Sequence, residues 1–394
     1  MNWFILLFLL ISIILFLVTK YYVEKIVDDD QTLKEEIENF EEEKNRTPTD
    51  QLKLNHTITL DYLDKINASK LVSLNSDYMQ NMNQPNLSAR NCKTRDELYE
   101  KYKTGFDDIT PKEKERVDLF ILNLLDKIKL NNTSYYNYVC KWLKEISIAK
   151  AQSWLESGMP HTLEKTIIMD AGWFLNPRDT TLLHELTHIH QRYDYFDFED
   201  LYKELGYYNN TDYIKGLDSI YPLNRNNPDG LSTKWLWKMP QSLTSTQSTL
   251  QSTLQSTLYN TNTDYWWIGA LFKNVNPTCL SEVELVALKL NQDNEGNFYY
   301  LKQPITLLSQ LKSFTTFFGE NPNNYHPNEI TAKMAEFYLV DNLNTSHHFN
   351  TKNNTNNKNN KNNKTKENKL YSFTNYEGYK IYKKYSDAMM SKYY

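Results

Sequence analysis

The sequence predicts an α+β domain that is preceded by an N-terminal transmembrane helix. Three observations support this fold class: an unbroken apolar run at the N-terminus, an amphipathic helical pattern over residues 111–129, and a strand-like segment at 166–169 directly ahead of a second helical pattern. Helical and strand-like patterns that share one stretch of chain favour helices packed on a sheet.

The N-terminal run carries no charge from Trp3 to Val18 and is followed by Lys20, Tyr21 and Tyr22. At about 1.5 Å per residue, a helix of this length crosses a bilayer core and places its tyrosines at the interface. The alternative is a cleaved signal peptide, but no lysine or arginine precedes the run and no small-residue cleavage site follows it. We therefore predict a single-pass membrane protein, with the side of the membrane left open.

Changes in composition divide the rest of the chain. An acidic, helix-prone segment offers little surface that could pack, whereas two polar low-complexity stretches, one of them QSTL three times over, cannot bury a core. The predicted segments are an anchor at 1–22, an acidic stalk at 23–54, a folded domain at 55–349 with a polar insertion at 241–262, a disordered Asn/Lys segment at 350–368 and a Tyr-rich C-terminal segment at 369–394.

The overall composition excludes some classes of protein. With 44 Lys and Arg against 49 Asp and Glu, a net charge of −5 gives no global reason to expect nucleic acid as a partner. Hydrophobic residues make up 40% of the chain, which is enough for a sizeable core. The three cysteines, Cys92, Cys140 and Cys279, are too scattered for a disulfide framework or a cysteine-based zinc cluster.

The middle of the chain shows clear local signals. Thr110 to Glu113 is a capping box with a proline at the first helical position, and apolar residues follow at helical spacing, so a helix is predicted over 111–129. Residues 135–150 are apolar and fit either a helix or a strand. The segment 166–169 reads as a short buried strand.

The strongest chemical signal is the pentapeptide from His184 to His188, HELTH. Start signals at Asn176 to Asp179 predict that it lies on a helix, where residues four apart share a face, so both imidazoles can reach one zinc ion. Glu185 lies about 100° round the helix axis, which suits a general base for a zinc-activated water. The alternative interpretation is an ordinary pair of helical histidines.

A catalytic zinc site needs a third protein ligand, and two glutamates are candidates. We prefer Glu329, because it opens a helical pattern directly after Pro327 and can project into a cleft. Glu329 could instead be a first-turn residue favoured by the helix dipole. The other candidate ligand is Glu284, in a segment that also reads as helical.

The run from Leu182 to Arg192, taken with the segment from His326 to Ala332, resembles the gluzincin group of zinc metallopeptidases, in which a downstream helix supplies a glutamate ligand. Three further segments are similar to uncharacterised metallopeptidase-like proteins of large DNA viruses: Gly158 to Thr162, Gln191-Arg192, and Arg225 to Asp229. The resemblance covers roughly residues 75–340.

By this resemblance His184, His188 and Glu329 are zinc ligands and Glu185 is the catalytic base. It also implies a zincin-like fold, with a mixed sheet over the active-site helix and a more helical second half. One departure concerns catalysis: the sequence shows no clear counterpart of the Tyr or His that stabilises the oxyanion in gluzincins. Tyr325 and His326 are candidates for this group only because they precede Glu329 in the chain.

Weaker expectations concern neighbouring polar residues. His161 follows a proline ahead of the predicted strand and could touch substrate, or be an ordinary loop histidine. Arg225 and Asp229 lie in an Asn/Pro-rich segment whose simplest interpretation is a plain turn. His190 is two residues beyond His188 and is expected to be exposed.

Together these patterns predict a membrane-anchored, zinc-dependent metallopeptidase that hydrolyses peptide bonds with Glu185 as general base. It would carry one Zn²⁺ ion and act on a peptide or protein substrate. The alternative is a catalytically inactive, zincin-like protein that is tethered to the membrane and serves a structural or interaction role. The choice between endopeptidase and exopeptidase action stays open.

Overall fold

Two β-sheets, with helices packed around them, form the framework of the chain. The computed structural model describes residues 58–230, 234–240, 264–320, 325–344 and 375–393. Apart from residues 58 and 59, all of these belong to one compact unit, Leu60–Tyr394. The predicted anchor, stalk, polar insertion and Asn/Lys segment lie outside the described residues.

The first sheet is mixed and consists of short strands. Its strands are β1 Asp61–Tyr62, β2 Phe106–Asp107, β3 Ser147–Ala151, β4 His161–Leu163 and β5 Thr166–Asp170. Strands β1, β3 and β5 run parallel, whereas β2 and β4 pair antiparallel with β3 and β5. Strand β4 therefore lies at the edge of the order β1-β3-β5-β4.

Helices of the N-terminal half surround this sheet. They are α1 Lys65–Ser69, α2 Asp77–Gln80, α3 Gln84–Ser88, α4 Arg95–Lys103, α5 Pro111–Asn131, α6 Thr133–Leu143, α7 Ala171–Leu175, α8 Asp179–Tyr193 and α9 Phe196–Glu204. The capping box predicted at Thr110 and Glu113 is present, which confirms the start of α5. The ambiguous segment 135–150 contains most of α6 and then β3.

Helix α8, which carries the HELTH pentapeptide, is enclosed over most of its length. Every residue from Leu182 to Gln191 is buried, including the polar ones. A helix that is covered on all sides needs partners for its polar side chains, because burial without hydrogen bonds is costly. The polar residues of α8 therefore have to be explained by what surrounds them.

The second sheet is antiparallel throughout. Its strands are β6 Tyr207–Asn209, β7 Trp235–Trp237, β8 Tyr265–Phe272, β9 Val283–Gln292, β10 Phe298–Tyr299 and β11 Thr306–Leu307. The order is β10-β9-β8-β7-β6, with β11 also pairing with β9. The long pair β8 and β9 forms its centre and buries a core of leucines, Val286 and Trp267.

Three more helices complete the described chain: α10 Lys312–Phe318, α11 Pro327–Asn344 and α12 Glu377–Met390. Helix α11 packs along α8, which brings two distant parts of the sequence together. Helix α12 packs on α9, α10 and α11 and buries Tyr379 and Tyr382. The Tyr-rich C-terminal segment thus contributes to the packed body.

The structure contradicts the predicted fold class, a zincin-like α+β domain preceded by a transmembrane helix. The described chain is a mixed α/β structure, and its described second half is not mainly helical, because it contains all six strands of the second sheet. Among the described residues, no helix combines the length and the apolar character needed to cross a membrane. The run Trp3 to Tyr22 lies outside these residues.

The prediction that Glu284 lies on a helix is also wrong. Val283–Gln292 is strand β9, paired with β8 over eight residues. Along β9, apolar side chains partly alternate with polar ones. This alternation is typical of a strand with one face more buried than the other. Glu284 is exposed there, 3.6 Å from Lys273.

Candidate metal centre

Helices α8 and α11 bring two histidines and a glutamate to one point. His184 and His188 lie one turn apart on α8, and Glu329 lies in the first turn of α11. All three side chains are buried, and one potential ligand atom from each lies within 4.8 Å of the others. These are the three residues that the sequence proposed as ligands, and their roles stay a prediction.

The distances suit a small metal ion. Oε2 of Glu329 lies 3.5 Å from Nε2 of His184, and its Oε1 lies 3.6 Å from Nε2 of His188. At zinc–ligand distances of about 2.0–2.1 Å, two ligand atoms of a tetrahedral site are about 3.3 Å apart. Two imidazoles and a carboxylate also form a donor set that zinc accepts, although other divalent transition metals accept it too.

The opposite nitrogen of each histidine contacts a side-chain acceptor. Nδ1 of His184 lies 2.9 Å from Oε1 of Glu336, and Nδ1 of His188 lies 2.8 Å from Oε1 of Gln191. An acceptor at Nδ1 favours the tautomer that leaves the Nε2 lone pair free for a metal. Gln191 is itself held by donating to Thr331 Oγ1 at 2.7 Å and to the Asn328 carbonyl at 3.0 Å, both on α11.

Glu329 is oriented by an asparagine from a loop. Nδ2 of Asn227 donates to Oε1 of Glu329 at 2.6 Å and to the Tyr325 hydroxyl at 2.7 Å. The amide orientation is fixed because its Oδ1 accepts from the Asp229 backbone N–H at 3.0 Å. Asn227 thereby places the tyrosine hydroxyl beside the carboxylate.

Glu185 differs from the other buried acids. Its Oε2 is buried and has no hydrogen-bond partner among the described residues. Glu185 also shares a second potential metal-binding group with His188 and Asp229. Burial raises the pKa of Glu185, and the nearby Asp229 carboxylate raises it further. A carboxylate of this kind holds a proton more readily than an exposed glutamate does.

Asp229 is a site residue that the sequence interpretation treated as part of a turn. Its carboxylate is buried and accepts from the Thr162 backbone N–H at 3.1 Å, from the Thr162 hydroxyl, and from Arg192 at 3.4 Å. Arg192, near the end of α8, also donates to the carbonyls of Pro228 and Glu164. The three weaker motifs of the sequence therefore meet around one cleft.

The cleft beside these residues has a volume of about 290 Å³. Its described lining combines the candidate ligands with Glu185 and with residues of the loop 225–229. His161 lines it from the edge strand β4, and Tyr325 lines it next to α11. His326 is buried and contacts Trp235 and the backbone N–H of Asn328.

Electrostatically, the two histidines and Glu329 form a coupled set. Burial opposes a charge on His184, but contacts with Glu329 and Glu336 outweigh it and raise the pKa of His184. For His188, burial prevails and lowers the pKa. Burial alone would raise the pKa of Glu329, but the imidazoles of His188 and His184 outweigh it and hold that pKa at about 2. The acids thus attract positive charge to the point where the ligand atoms meet.

A second buried polar group, which we name the arginine cluster, also borders the cleft. It consists of Arg90, Glu156, Tyr78 and Tyr102. Arg90 donates to both carboxylate oxygens of Glu156, at 2.9 and 3.1 Å, and both tyrosine hydroxyls donate to the same carboxylate. Arg90 also donates to the Asn226 carbonyl at 3.2 Å, so this cluster holds the loop that carries Asn227.

The prediction that His190 is exposed is wrong. His190 is completely buried, and its ring contacts Trp142, Phe198, the Tyr138 hydroxyl at 2.9 Å and Asp197 at 3.1 Å. The helix face opposite the candidate ligands is covered by α6 and α9, so no face of α8 is left to solvent between Leu182 and Gln191. Asp197 and Asp194 lie near His190, but each also pairs with a lysine.

Comparison of the chain with protein-family models, with curated proteins and with solved structures finds no match. The resemblance to gluzincins therefore rests on the sequence motifs alone.

Proposed function

We propose that the chain is a zinc-dependent hydrolase that cleaves peptide bonds. The observation that carries this proposal is the convergence of His184, His188 and Glu329, with the buried, unpartnered oxygen of Glu185 beside them. Such an arrangement is typical of metal-assisted hydrolysis. A carboxylate oxygen without a hydrogen-bond partner is available to accept a proton from a water molecule.

His184, His188 and Glu329 would hold the ion, with Glu336 and Gln191 fixing the two imidazoles. A zinc ion bound by these residues would polarise the substrate carbonyl and lower the pKa of a water molecule. The donor set fits this role, since three protein ligands leave room for water or substrate.

Glu185 would act as the general base. Its carboxylate would take a proton from the attacking water and later give it to the leaving amine, and its raised pKa favours the first of these two transfers. Asp229 supports this role from the side, because its own negative charge makes a proton on Glu185 more favourable.

Tyr325 would stabilise the negative oxygen that develops on the carbonyl. Its oxygen accepts from Arg225 at 3.1 Å and from Asn227 at 2.7 Å, which leaves its hydroxyl hydrogen to donate elsewhere. Among the described residues, the Tyr325 hydroxyl donates no hydrogen bond. Burial raises the pKa of Tyr325 to about 12, so the hydroxyl remains protonated near neutral pH and can donate.

The test is hydrolysis of a mixed peptide library by the full-length chain after zinc loading. We expect cleavage that a chelator abolishes and zinc restores, and a loss of about 100-fold or more in kcat for Glu185→Gln. Zinc content should be unchanged in this variant, because Glu185 is not a ligand in the proposal. Equal rates for the wild type and Glu185→Gln would contradict the mechanism.

Zinc binding without hydrolysis of any peptide would instead favour the inactive structural or interaction protein. The two outcomes are separated by measuring metal content and turnover on the same preparation.

A further inference from the structure

Arg225 lines the cleft that also contains the candidate base Glu185. Among the described residues that line it, Arg225 is the one arginine or lysine. Its backbone N–H donates to the Ala270 carbonyl at 2.8 Å, and Asn224 forms a bridge to Leu271, so the loop is fixed against strand β8. The side chain therefore starts from a well-anchored backbone.

Three of the acidic residues that line the cleft pair with a basic residue of the protein. Glu156 pairs with Arg90, Asp229 with Arg192, and Glu336 with Lys333 at 2.6 Å. Arg225 has no carboxylate within 4.0 Å among the described residues. Its guanidinium carbon lies 5.4 Å from the centre of the Tyr325 ring, and one nitrogen donates to the Tyr325 hydroxyl.

Among the described residues, one hydrogen bond from the Arg225 guanidinium is formed, so most of its N–H groups have no acceptor there. A guanidinium carries five N–H groups in a planar fork that matches the two oxygens of a carboxylate. The hydrogen bond to the Tyr325 hydroxyl and the contact with its ring restrict the side chain of Arg225, which lowers the entropy lost on binding. A carboxylate ligand would therefore find a preorganised and positively charged partner.

Arg225 also lies close to the candidate metal ligands. Arg225 contacts Tyr325, and Asn227 joins the Tyr325 hydroxyl to Glu329. The cleft volume of about 290 Å³ is at the small end for ligand pockets, which typically run from about 300 to 1,000 Å³. A small cleft suits one or two residues of a peptide, so any group that Arg225 binds must lie close to the cleaved bond.

We propose that Arg225 binds a carboxylate of the substrate peptide, next to the bond that is hydrolysed. This rests on the proposed function, and it narrows the substrates to peptides with a negative charge near that bond. The carboxylate comes from the free C-terminus of the peptide or from an aspartate or glutamate side chain.

The experiment measures binding, so it does not depend on turnover. Full-length Glu185→Gln protein, loaded with zinc, is titrated calorimetrically with acetyl-Ala-Ala as free acid and as amide. A second pair, acetyl-Ala-Glu-amide and acetyl-Ala-Gln-amide, tests a side-chain carboxylate. The same titrations are repeated with Arg225→Gln, Arg225→Lys and, as a matched control for loss of one positive charge, the exposed Arg95→Gln.

We expect one charged peptide to bind about tenfold or more tightly than its neutral counterpart, as a charge-assisted bidentate contact does. Preference for the free acid identifies the C-terminus, and preference for Glu over Gln identifies the side chain. Arg225→Gln should remove the preference, Arg225→Lys should keep part of it, and Arg95→Gln should keep it all. Equal affinity within both pairs, or a preference that persists in Arg225→Gln, would overturn the proposal.

Failure of the proposed peptidase function would give a different result from failure of the Arg225 proposal. Loss of peptide hydrolysis in every assay, with the charge preference still present, would leave Arg225 as a carboxylate-binding residue in a protein that is not a peptidase. Hydrolysis that slows equally for charged and neutral peptides in Arg225→Gln would show that Arg225 acts only by orienting Tyr325.

Discussion

Two clusters of buried side chains border the same cleft, and they differ in how fully their carboxylates are hydrogen-bonded within the protein. In the arginine cluster, the single carboxylate of Glu156 receives a guanidinium and two hydroxyl groups, so its charge and hydrogen bonds are satisfied within the protein. In the histidine cluster, which we define as His184, His188, Glu185 and Glu329, two acids face two imidazoles, and Oε2 of Glu185 has no described partner.

This difference indicates a structural role for the arginine cluster and a chemical role for the histidine cluster. A buried charge with all its partners fixes structure, and here it fixes the loop that carries Asn227 and Asp229. A buried group with an excess of acceptors calls for a cation or a proton, because an uncompensated buried charge is costly. The two clusters should therefore respond differently when single members are removed.

The largest effect is expected for the third ligand. Glu329→Ala should reduce the zinc content of the full-length protein from about one ion per chain to about none, since two histidines alone hold zinc weakly. Elemental mass spectrometry after gel filtration measures the ratio. Glu284→Ala is the matched control and should keep its zinc; loss of zinc in that variant alone would reverse the assignment.

Removing the cation of the arginine cluster should act on stability. Arg90→Met leaves Glu156 buried without its ion-pair partner, so we expect the free energy of unfolding to fall by about 3–5 kcal/mol. Urea unfolding followed by tryptophan fluorescence measures it. The exposed pair of Lys165 and Glu145 provides the control, and Lys165→Met should change the same quantity by less than about 1 kcal/mol. Equal losses in both variants would refute the contrast.

A smaller effect should follow from the residue that orients His184. Glu336→Leu removes the acceptor of Nδ1 and should weaken zinc binding by about 10–100-fold. Competition with a chromophoric chelator measures the affinity. Glu336→Gln keeps an acceptor oxygen and should lose less; an identical loss in both variants would mean that the charge of Glu336, and not its hydrogen bond, matters.

The smallest effect is the loss of stability that Glu156 causes at low pH. Burial would raise the pKa of Glu156, but Arg90 outweighs it and lowers that pKa to about 2, below the ordinary value of 4.5. Its stabilisation is therefore complete above pH 4.5 and is lost as the pH falls through about 2. The difference in unfolding free energy between wild type and Glu156→Gln should stay constant above about pH 5 and shrink by roughly 2 kcal/mol at pH 3. Urea unfolding from pH 7 to 3 tests this, and a difference that stays constant to pH 3 would contradict it.

Elements with strong local signals could be predicted from the sequence. The cap at Thr110 sets the start of α5, and the helix that carries His184 and His188 follows from its apolar spacing. Glu329 could be placed because a proline marks the start of its helix. In each case, residues within one or two turns decide the conformation, so neighbours in sequence carry the information.

What the sequence interpretation missed depends on contacts between distant residues. The loop that carries Asn227 and Asp229 is held by Arg90 and Asn86, which lie far away in the chain. No local pattern marks such contacts, so this loop read as a plain turn. The prediction that His190 is exposed failed for the same reason. Helices α6 and α9 cover the face of α8 that carries it, and the periodicity of α8 alone does not show this contact.

The hydrogen bond from the Thr162 backbone to Asp229 has a consequence for association between molecules. Strand β4 lies at an edge of the first sheet, and an edge strand with free N–H groups can pair with a strand of another chain. Asp229 occupies this N–H, and its negative charge sits where an incoming backbone carbonyl would have to dock. One buried carboxylate thus shapes the cleft and also protects this edge from aggregation.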